Sequence, residues 1–358
     1  MLYIKSPYVK IIHNTKQKNL YVNSLTHRFV LLKPVQLEVL GKCIKATGLD
    51  ELLKTYGEDI IFDMIRKYIL VEDELFWKYN FLTHIEIETS TVCNGKCEYC
   101  PASYNPRRVE YMDIKLFDEI LLKARNYGHI RFITLHSYNE PTIDDRFYIF
   151  AEKIEESKLK LILYSNGSGI DDKMLNYFKA YPSLRNIVIN IPSIDKKTFE
   201  KMTNASYYDK TIYAIENLSR MDINISLSVQ GYDNNHIVEE TKKIQDRFPN
   251  IKIVYHKSFD RTGALKNHYA EHINNTNNFL HGCRNVMESL CVDVHGDLFL
   301  CCNDYERKVK YANIQDGNLK NILEKPAACD IRKKVWGGIE PEANFPCRHC
   351  VLISNTQY

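Results

Sequence analysis

An α/β protein is predicted. It is built on a partial (β/α)6 TIM-like barrel, with a small N-terminal winged-helix-like α+β domain and a C-terminal domain stapled by metal. Three observations point there. From about His84 to about Asp260, short apolar runs alternate six times with helical patterns, as parallel strands with crossover helices do. Before that stretch, strand-like runs precede helical ones. After it the periodicity stops and cysteines crowd: seven of the eleven lie at or beyond Cys283.

The domains are read as residues 1–80, 81–260 and 261–358. In the first, Tyr8–Ile12, Leu20–Val22 and His27–Leu31 read as short strands. Pro34 suits the first turn of a helix running to about Thr47, with Gly48 as its stop. Leu49–Tyr56 and Asp59–Tyr68 read as helices divided at Gly57, and Ile69–Val71 as an extended piece. In the second domain the strands are His84–Glu88, Ile130–His136, Leu159–Tyr164, Asn186–Ile191, Ile223–Gln230 and Ile251–His256. The helices between them are Met112–Tyr127, Arg146–Ser157, Asp171–Ala180, Lys196–Met202, Asp209–Arg220 and Asn235–Phe248. Six such units are too few for the eight of a closed barrel but enough for an open one. In the third domain only a hairpin stands out, Cys291–Val294 and Leu298–Cys301 around His295-Gly296.

A hydrophobic fraction of 44%, a charged fraction of 26% and a net charge of +3 describe an ordinary globular chain. They give no reason to expect nucleic acid as a partner. The first twenty residues are broken by Lys5, Lys10, Lys16 and Lys18, so no secretory signal is expected. No run approaches the ~18 apolar residues of a membrane span. A cytoplasmic protein is therefore expected. In a reducing compartment, clustered cysteines point to metal or redox chemistry rather than disulfides.

Cys93-Asn-Gly-Lys-Cys97-Glu-Tyr-Cys100 has C-x3-C-x2-C spacing directly after the first barrel strand. Three thiolates on one short loop can wrap one face of a cubane cluster, leaving the fourth iron open to a ligand. A zinc knuckle with a distant fourth ligand is the alternative. The carboxyl end of a parallel strand is where active sites form in such sheets.

This loop, with Tyr99 before its last cysteine, resembles the signature of the radical S-adenosylmethionine (radical SAM) superfamily, over about residues 84–260. The resemblance implies a [4Fe–4S] cluster on Cys93, Cys97 and Cys100. It also implies S-adenosylmethionine (SAM) on the open iron, and a 5′-deoxyadenosyl radical that takes a hydrogen atom from substrate. It implies further SAM contacts. Asn139-Glu140-Pro141 holds the place of the family's Gly-Gly-Glu-Pro segment, with both glycines replaced and Glu140 as acceptor for the methionine ammonium. Ser165-Asn166-Gly167 resembles the turn that approaches the ribose. Asn190 and Gln230, ending the fourth and fifth strands, are weaker matches.

Cys283, Gly296, Cys301 and then Cys347-Arg-His-Cys350 form a second group. Four thiolates suffice for a complete auxiliary [4Fe–4S] cluster, though their spacing also permits zinc. The group resembles the SPASM/Twitch extensions of radical SAM enzymes. Because the chain stops eight residues after Cys350, the shorter, one-cluster Twitch form is expected. Cys291, Cys302 and Cys329 are left over. Each reads first as a small buried thiol. In this enzyme class a free cysteine can also donate a hydrogen atom to a substrate radical, so the three are candidate catalytic residues. Cys43 reads as core.

The first 80 residues resemble, in pattern alone, the peptide-recognition element of maturases of ribosomally made peptides. That resemblance implies a precursor peptide whose leader adds as a strand beside the small sheet. It implies hydrogen abstraction leading to epimerisation, a thioether or a carbon–carbon cross-link, with an external electron donor such as flavodoxin or ferredoxin. The alternatives are a radical SAM dehydrogenase or related enzyme acting on a small molecule such as an amino sugar, sulfatase maturation, and a zinc-binding DNA-binding regulator.

Overall fold

The computed structural model describes residues 1–6, 8–15, 18–23, 28–78, 82–231, 233–258, 260–265, 280, 282–336 and 338–350. The N-terminal unit runs β1 (Leu2–Lys5), β2 (Val9–Thr15), β3 (Lys18–Asn23), β4 (Arg28–Leu31), α1 (Pro34–Lys42), β5 (Thr47–Gly48), α2 (Leu49–Tyr56), α3 (Glu58–Arg66), β6 (Leu70–Glu72) and α4 (Asp73–Lys78). Two antiparallel sheets form, β2-β3-β4 and β5-β1-β6. Tyr21, Val39, Cys43, Leu52, Ile61 and Met64 close one apolar core. The strand β4 is an outer strand of its sheet and exposes Phe29 and Leu31, at 69% and 61%. His27, expected to open that strand, lies outside the described residues.

Helix α1 is shorter than its pattern predicts. The chain leaves it at Cys43, and Thr47-Gly48 instead pairs with Tyr3 and Leu2 while Lys5 N donates to Cys43 O at 2.8 Å. A backbone ladder from a distant strand overrides the local preference to continue the helix.

The barrel follows: β7 (His84–Ile87), α5 (Ile114–Tyr127), β8 (Phe132–Thr134), α6 (Phe147–Glu156), β9 (Lys160–Ser165), α7 (Asp172–Ala180), β10 (Leu184–Asn190), α8 (Lys196–Thr203), α9 (Tyr208–Leu218), β11 (Ile225–Gly231), α10 (Asn234–Arg247) and β12 (Lys252–Lys257). The six strands are parallel, each beside its neighbour in sequence. Asp113, Asp171, Asp195 and Asp233 cap α5, α7, α8 and α10, each side chain accepting a backbone N–H of the first turn. Ile85, Ile87, Ile133, Leu163, Ile189 and Val229 pack outward into the core shared with the helices. Because strand side chains alternate, Glu86, Thr134, Tyr164, Asn190 and Ser228 turn to the other face, the lumen.

The last segment comprises α11 (Asn285–Glu288), β13 (Ser289–Val292), β14 (Asp297–Phe299), β15 (Lys310–Asn313), α12 (Leu319–Glu324) and α13 (Pro326–Val335). The sequence predicts its hairpin as part of a separate domain. The structure instead joins it to the barrel sheet: β13 runs parallel to β7, with Cys291 opposite Glu86, giving nine strands in the order β12-β11-β10-β9-β8-β7-β13-β14-β15. Without β13, β7 would present an unpaired edge. Among the described residues no helix is long and apolar enough to cross a membrane.

Candidate active site

The C-x3-C-x2-C loop leaves the carboxyl end of β7, is fastened from two sides and closes on itself. Lys96 N and Glu98 N donate to Thr203 O (3.0 Å) and Met202 O (2.9 Å), the last carbonyls of α8. Asn94 donates to Ser168 Oγ and accepts from Asn166 Nδ2, both at 2.8 Å, tying the loop to the turn after β9. Cys100 N closes back on Cys97 O at 3.0 Å. The three thiols sense one another. Burial, then the Glu140 carboxylate, then Cys97 and Cys100 hold the Cys93 thiol up, although that residue keeps an exposed edge. Burial, then Cys100, pushes Cys97 up to about 12. Thiols that disfavour their own ionisation in this way need cationic charge from a bound group, and a coordinating thiol is deprotonated outright. The donor set therefore fits an iron–sulfur cluster.

The residues expected at SAM meet beside this loop. Glu140 is buried. Its Oε1 accepts from Thr142 N (3.0 Å), Thr142 Oγ1 (2.6 Å) and Ser165 Oγ (2.7 Å), and its Oε2 from Asn166 N (2.6 Å). Burial raises the pKa of this carboxyl against those four donors. Pro141 follows at the start of a short 3-10 turn. Asn139 is turned into the fold, its Oδ1 accepting from Ser137 N (2.9 Å) and its Nδ2 donating to Leu135 O (3.0 Å). Asn190 Nδ2 donates to the Tyr99 hydroxyl at 2.7 Å, so the ends of β10 and of the loop are joined. Gln230 stands one strand further on, opposite His256 of β12. Gly169 is required by space: a Cβ there would lie 2.4 Å from Thr142 O.

The second group converges from distant segments. Cys301 is held up by burial and then by its neighbours Cys302, Cys347, Cys350 and Cys283. Cys347 responds to burial and then to Cys350 and Cys283. Cys283 is pushed up to about 11, burial first. Asn303 Nδ2 points at Cys350 Sγ, 3.7 Å away. Four crowded thiols, Cys347 and Cys350 buried and Cys283 and Cys301 half-buried, fit a cluster for the same electrostatic reason. Among the described residues no three His, Cys, Asp or Glu side chains form a ready-made single-ion site. The fit of both groups thus rests on the mutual influence of their thiols.

The superfamily model of radical SAM proteins matches residues 87–248, from the end of β7 through α10. The chain thus contains a radical SAM domain. An iron-sulfur cluster-binding domain model, SPASM, matches residues 283–351. The chain is 20% identical over 273 residues to the S-adenosyl-L-methionine-dependent 2-deoxy-scyllo-inosamine dehydrogenase of Niallia circulans, over 75% of this chain and 93% of that one. Its fold is similar to that of Streptococcus suis SuiB bound to precursor peptide SuiA, with a TM-score of 0.53 and 14% identity, over 92% of this chain and 90% of that one. It is also similar to anSMEcpe with bound AdoMet and Cp18Cys peptide, with a TM-score of 0.53 and 15% identity, over 70% and 82% of the two chains. The radical SAM enzyme therefore has [4Fe–4S] clusters and S-adenosylmethionine as its cofactors.

Between the two cysteine groups of this radical SAM enzyme lies a polar lumen that sequence reasoning missed. His136 stacks on Tyr164 with ring centroids 4.5 Å apart. Burial, then His84 and Arg261, pushes His136 down to about 4. Tyr138 donates its hydroxyl to Cys302 O at 2.5 Å. Glu88, fully buried, accepts both Arg107 guanidinium nitrogens (2.9 and 2.5 Å) and Arg307 Nη2 (3.0 Å), which also reaches Ser137 Oγ at 3.1 Å. His136 Nδ1 and Arg307 Nε are buried without a hydrogen-bond partner among the described residues.

Two of the three spare cysteines come to this lumen. Cys291 donates to Glu86 Oε2 at 3.6 Å. Cys302 is pushed up to about 12 by burial and then by Glu86. Cys329 stands apart on α13, donating to Glu324 O (3.6 Å) and accepting from Arg332 Nη2 (3.3 Å). Tyr207, Asn94, Thr142 and the Glu88–Arg107–Arg307 set belong to no motif. Only Asn94, inside the cysteine loop, has a position that the sequence marks.

Proposed function

We propose that this enzyme modifies a ribosomally made precursor peptide by hydrogen-atom abstraction, with the leader held by residues 1–80. The observation that carries the proposal is the outer strand β4, whose exposed Phe29 and Leu31 offer an extended peptide both backbone and side-chain contacts. The likeness to SuiB, itself bound to a precursor peptide, supports it. Spanning 92% of this chain, that likeness leaves too little unmatched to omit the N-terminal unit.

In this proposal Cys93, Cys97 and Cys100 hold the catalytic cluster, and Cys283, Cys301, Cys347 and Cys350 one auxiliary cluster. Bound cluster and SAM, with an electron from an external donor such as flavodoxin or ferredoxin, supply the 5′-deoxyadenosyl radical that abstracts the hydrogen. The chain's own residues bind and orient. Glu140 fastens the turn Ser165-Asn166 against the cysteine loop and, with Tyr99, Asn139, Pro141, Asn190 and Gln230, frames the SAM site. His136 Nδ1 and Arg307 Nε, both unpartnered among the described residues, meet the substrate. Cys291 and Cys302 are placed to return a hydrogen atom, and the raised thiol pKa of each keeps that hydrogen on sulfur.

The test uses the full chain and a synthetic candidate precursor peptide. The double variant Phe29→Asp/Leu31→Asp should weaken peptide binding at least ~10-fold, since opposed or desolvated contacts each cost about 1 kcal/mol or more. SAM cleavage without peptide should be unchanged. Unimpaired peptide turnover would sink leader recognition at β4. Deleting residues 1–80 should likewise abolish peptide modification while leaving uncoupled SAM cleavage.

A second reading, oxidation of a small molecule such as an amino sugar, is favoured by the 20% identical dehydrogenase. Substrate-dependent 5′-deoxyadenosine from an amino sugar, with none from the peptide, would select it.

A further inference from the structure

We propose that Tyr207 is a positioning residue that sets the reduction potential of the catalytic cluster by donating its phenolic hydrogen to the sulfur of Cys97. The proposal rests on the assignment of Cys93, Cys97 and Cys100 as ligands of that cluster.

Tyr207 stands immediately before α9 and is 6% exposed. Its ring meets the edge of Phe199 with centroids 5.5 Å apart. Its carbonyl accepts from Thr211 N (3.0 Å) and Thr211 Oγ1 (3.2 Å), and the same hydroxyl reaches Asn166 O at 2.8 Å. The phenol is thus locked in place and shares an anchor with the turn after β9. Its hydroxyl points into the cysteine loop at Gly95. A Cβ built on Gly95 would lie 2.9 Å from Tyr207 Oη and 3.4 Å from Cys97 Sγ, so phenol and sulfur flank the same small space. Gly95 is not among the residues with positive φ. Its backbone suits any residue, and what it provides is room for the phenol to reach the sulfur.

The Tyr207 and Tyr99 hydroxyls both lie beside the Cys97 thiol and act on it electrostatically, and Tyr99 Oη also accepts from Asn190 Nδ2 at 2.7 Å. Cys97 therefore faces two phenols. Among the described residues Cys93 faces the Gly95 backbone N–H at 3.5 Å, and Cys100 the backbone N–H groups of Ala102 and Ser103. A cluster gains negative charge on reduction, and hydrogen bonds to its sulfurs stabilise the reduced form more than the oxidised one. Tyr207 therefore eases delivery of the electron on which SAM cleavage depends.

The experiment is a redox titration, followed by electron paramagnetic resonance, of the signal that responds to added SAM. It uses reconstituted full-length enzyme, Tyr207→Phe, and Gly95→Ala, in which the phenol is kept but pushed aside. Both variants should keep the full iron and sulfide content. Both should show a reduced-to-oxidised ratio about three- to tenfold lower at a fixed applied potential, as for loss of a hydrogen bond worth about 1 kcal/mol. A tenfold fall corresponds to 59 mV for one electron. An unshifted potential in both variants, at full iron content, overturns the proposal. So does loss of the cluster from Tyr207→Phe, which would make the hydroxyl a structural prop. A Cys93→Ala/Cys97→Ala/Cys100→Ala variant that keeps its SAM-responsive signal overturns the ligand assignment instead.

Discussion

The two cysteine groups are built in opposite ways. The first lies within eight residues of chain, on a loop with an exposed edge at Cys93, and its form is set by fasteners from α8 and from the turn after β9. The second gathers thiols from before α11, after β14 and a 3-10 turn at Pro346–His349, and buries Cys347 and Cys350. A local loop can hold its group while the surrounding contacts adjust. A group assembled from remote segments is itself a tie between them. Loss of the first group should therefore remove chemistry, and loss of the second should remove structure.

The largest expected effect tests that contrast directly. Cys93→Ala/Cys97→Ala/Cys100→Ala should abolish reductive SAM cleavage and lower iron from about eight to about four per chain, with folding little changed. Iron and sulfide analysis beside circular dichroism checks this. Next comes Cys347→Ala/Cys350→Ala. It should also cost about four irons, but it should lower the melting temperature markedly and expose the C-terminal segment to protease, because bound metal stabilises the fold that binds it. Equal thermal stability of the two variants would break the contrast.

A smaller effect concerns the lumen between the groups. His136 titrates at about 4 in the folded enzyme, below the ordinary value of 6.5. Its neutral form is therefore favoured on folding. That stability is present above about 6.5 and is lost as pH falls through about 4. His136→Gln should flatten the acid limb of a melting-temperature profile taken over that window. The smallest effect is Asp195→Ala, which removes the cap on α8, the helix that fastens the first loop through Thr203 and Met202. A small loss of stability should appear in denaturant titration, with iron content intact.

The same contrast explains what the sequence disclosed. The barrel strands and helices were legible because each carries its own period, and four of the six helices their own cap, as at Asp113 and Asp171. The first cysteine group was legible because its spacing is local. The second was visible as a set of thiols, but their convergence depends on the parallel pairing of β13 with β7, for which neither segment carries a local signal. Strand β1 and the early end of α1 were hidden for a like reason, since both depend on pairing between residues forty or more positions apart. Tyr207, Arg107 and Arg307 were hidden because a buried phenol or guanidinium looks like any other until its partner is known. Of the spare cysteines, alternation placed Cys291 on a strand face, but only the fold puts Glu86 beside it.

The pairing of β13 with β7 has a mechanical consequence. The strand that launches the catalytic loop and the strand that begins the second group's hairpin are neighbours in one hydrogen-bonded sheet. Because the two strands are parallel, Cys93, beyond the end of β7, and Cys283 and Cys301, beyond the start of β13, lie at opposite ends of the pair, and the length of the strands sets the gap between the two cysteine groups. Lengthening the connection between β12 and α11 would leave that gap as it is. The reaction chamber behaves like a vice with jaws cut from a single block: a substrate is gripped by the choice of side chains on the jaws, and no hinge between domains can widen the opening.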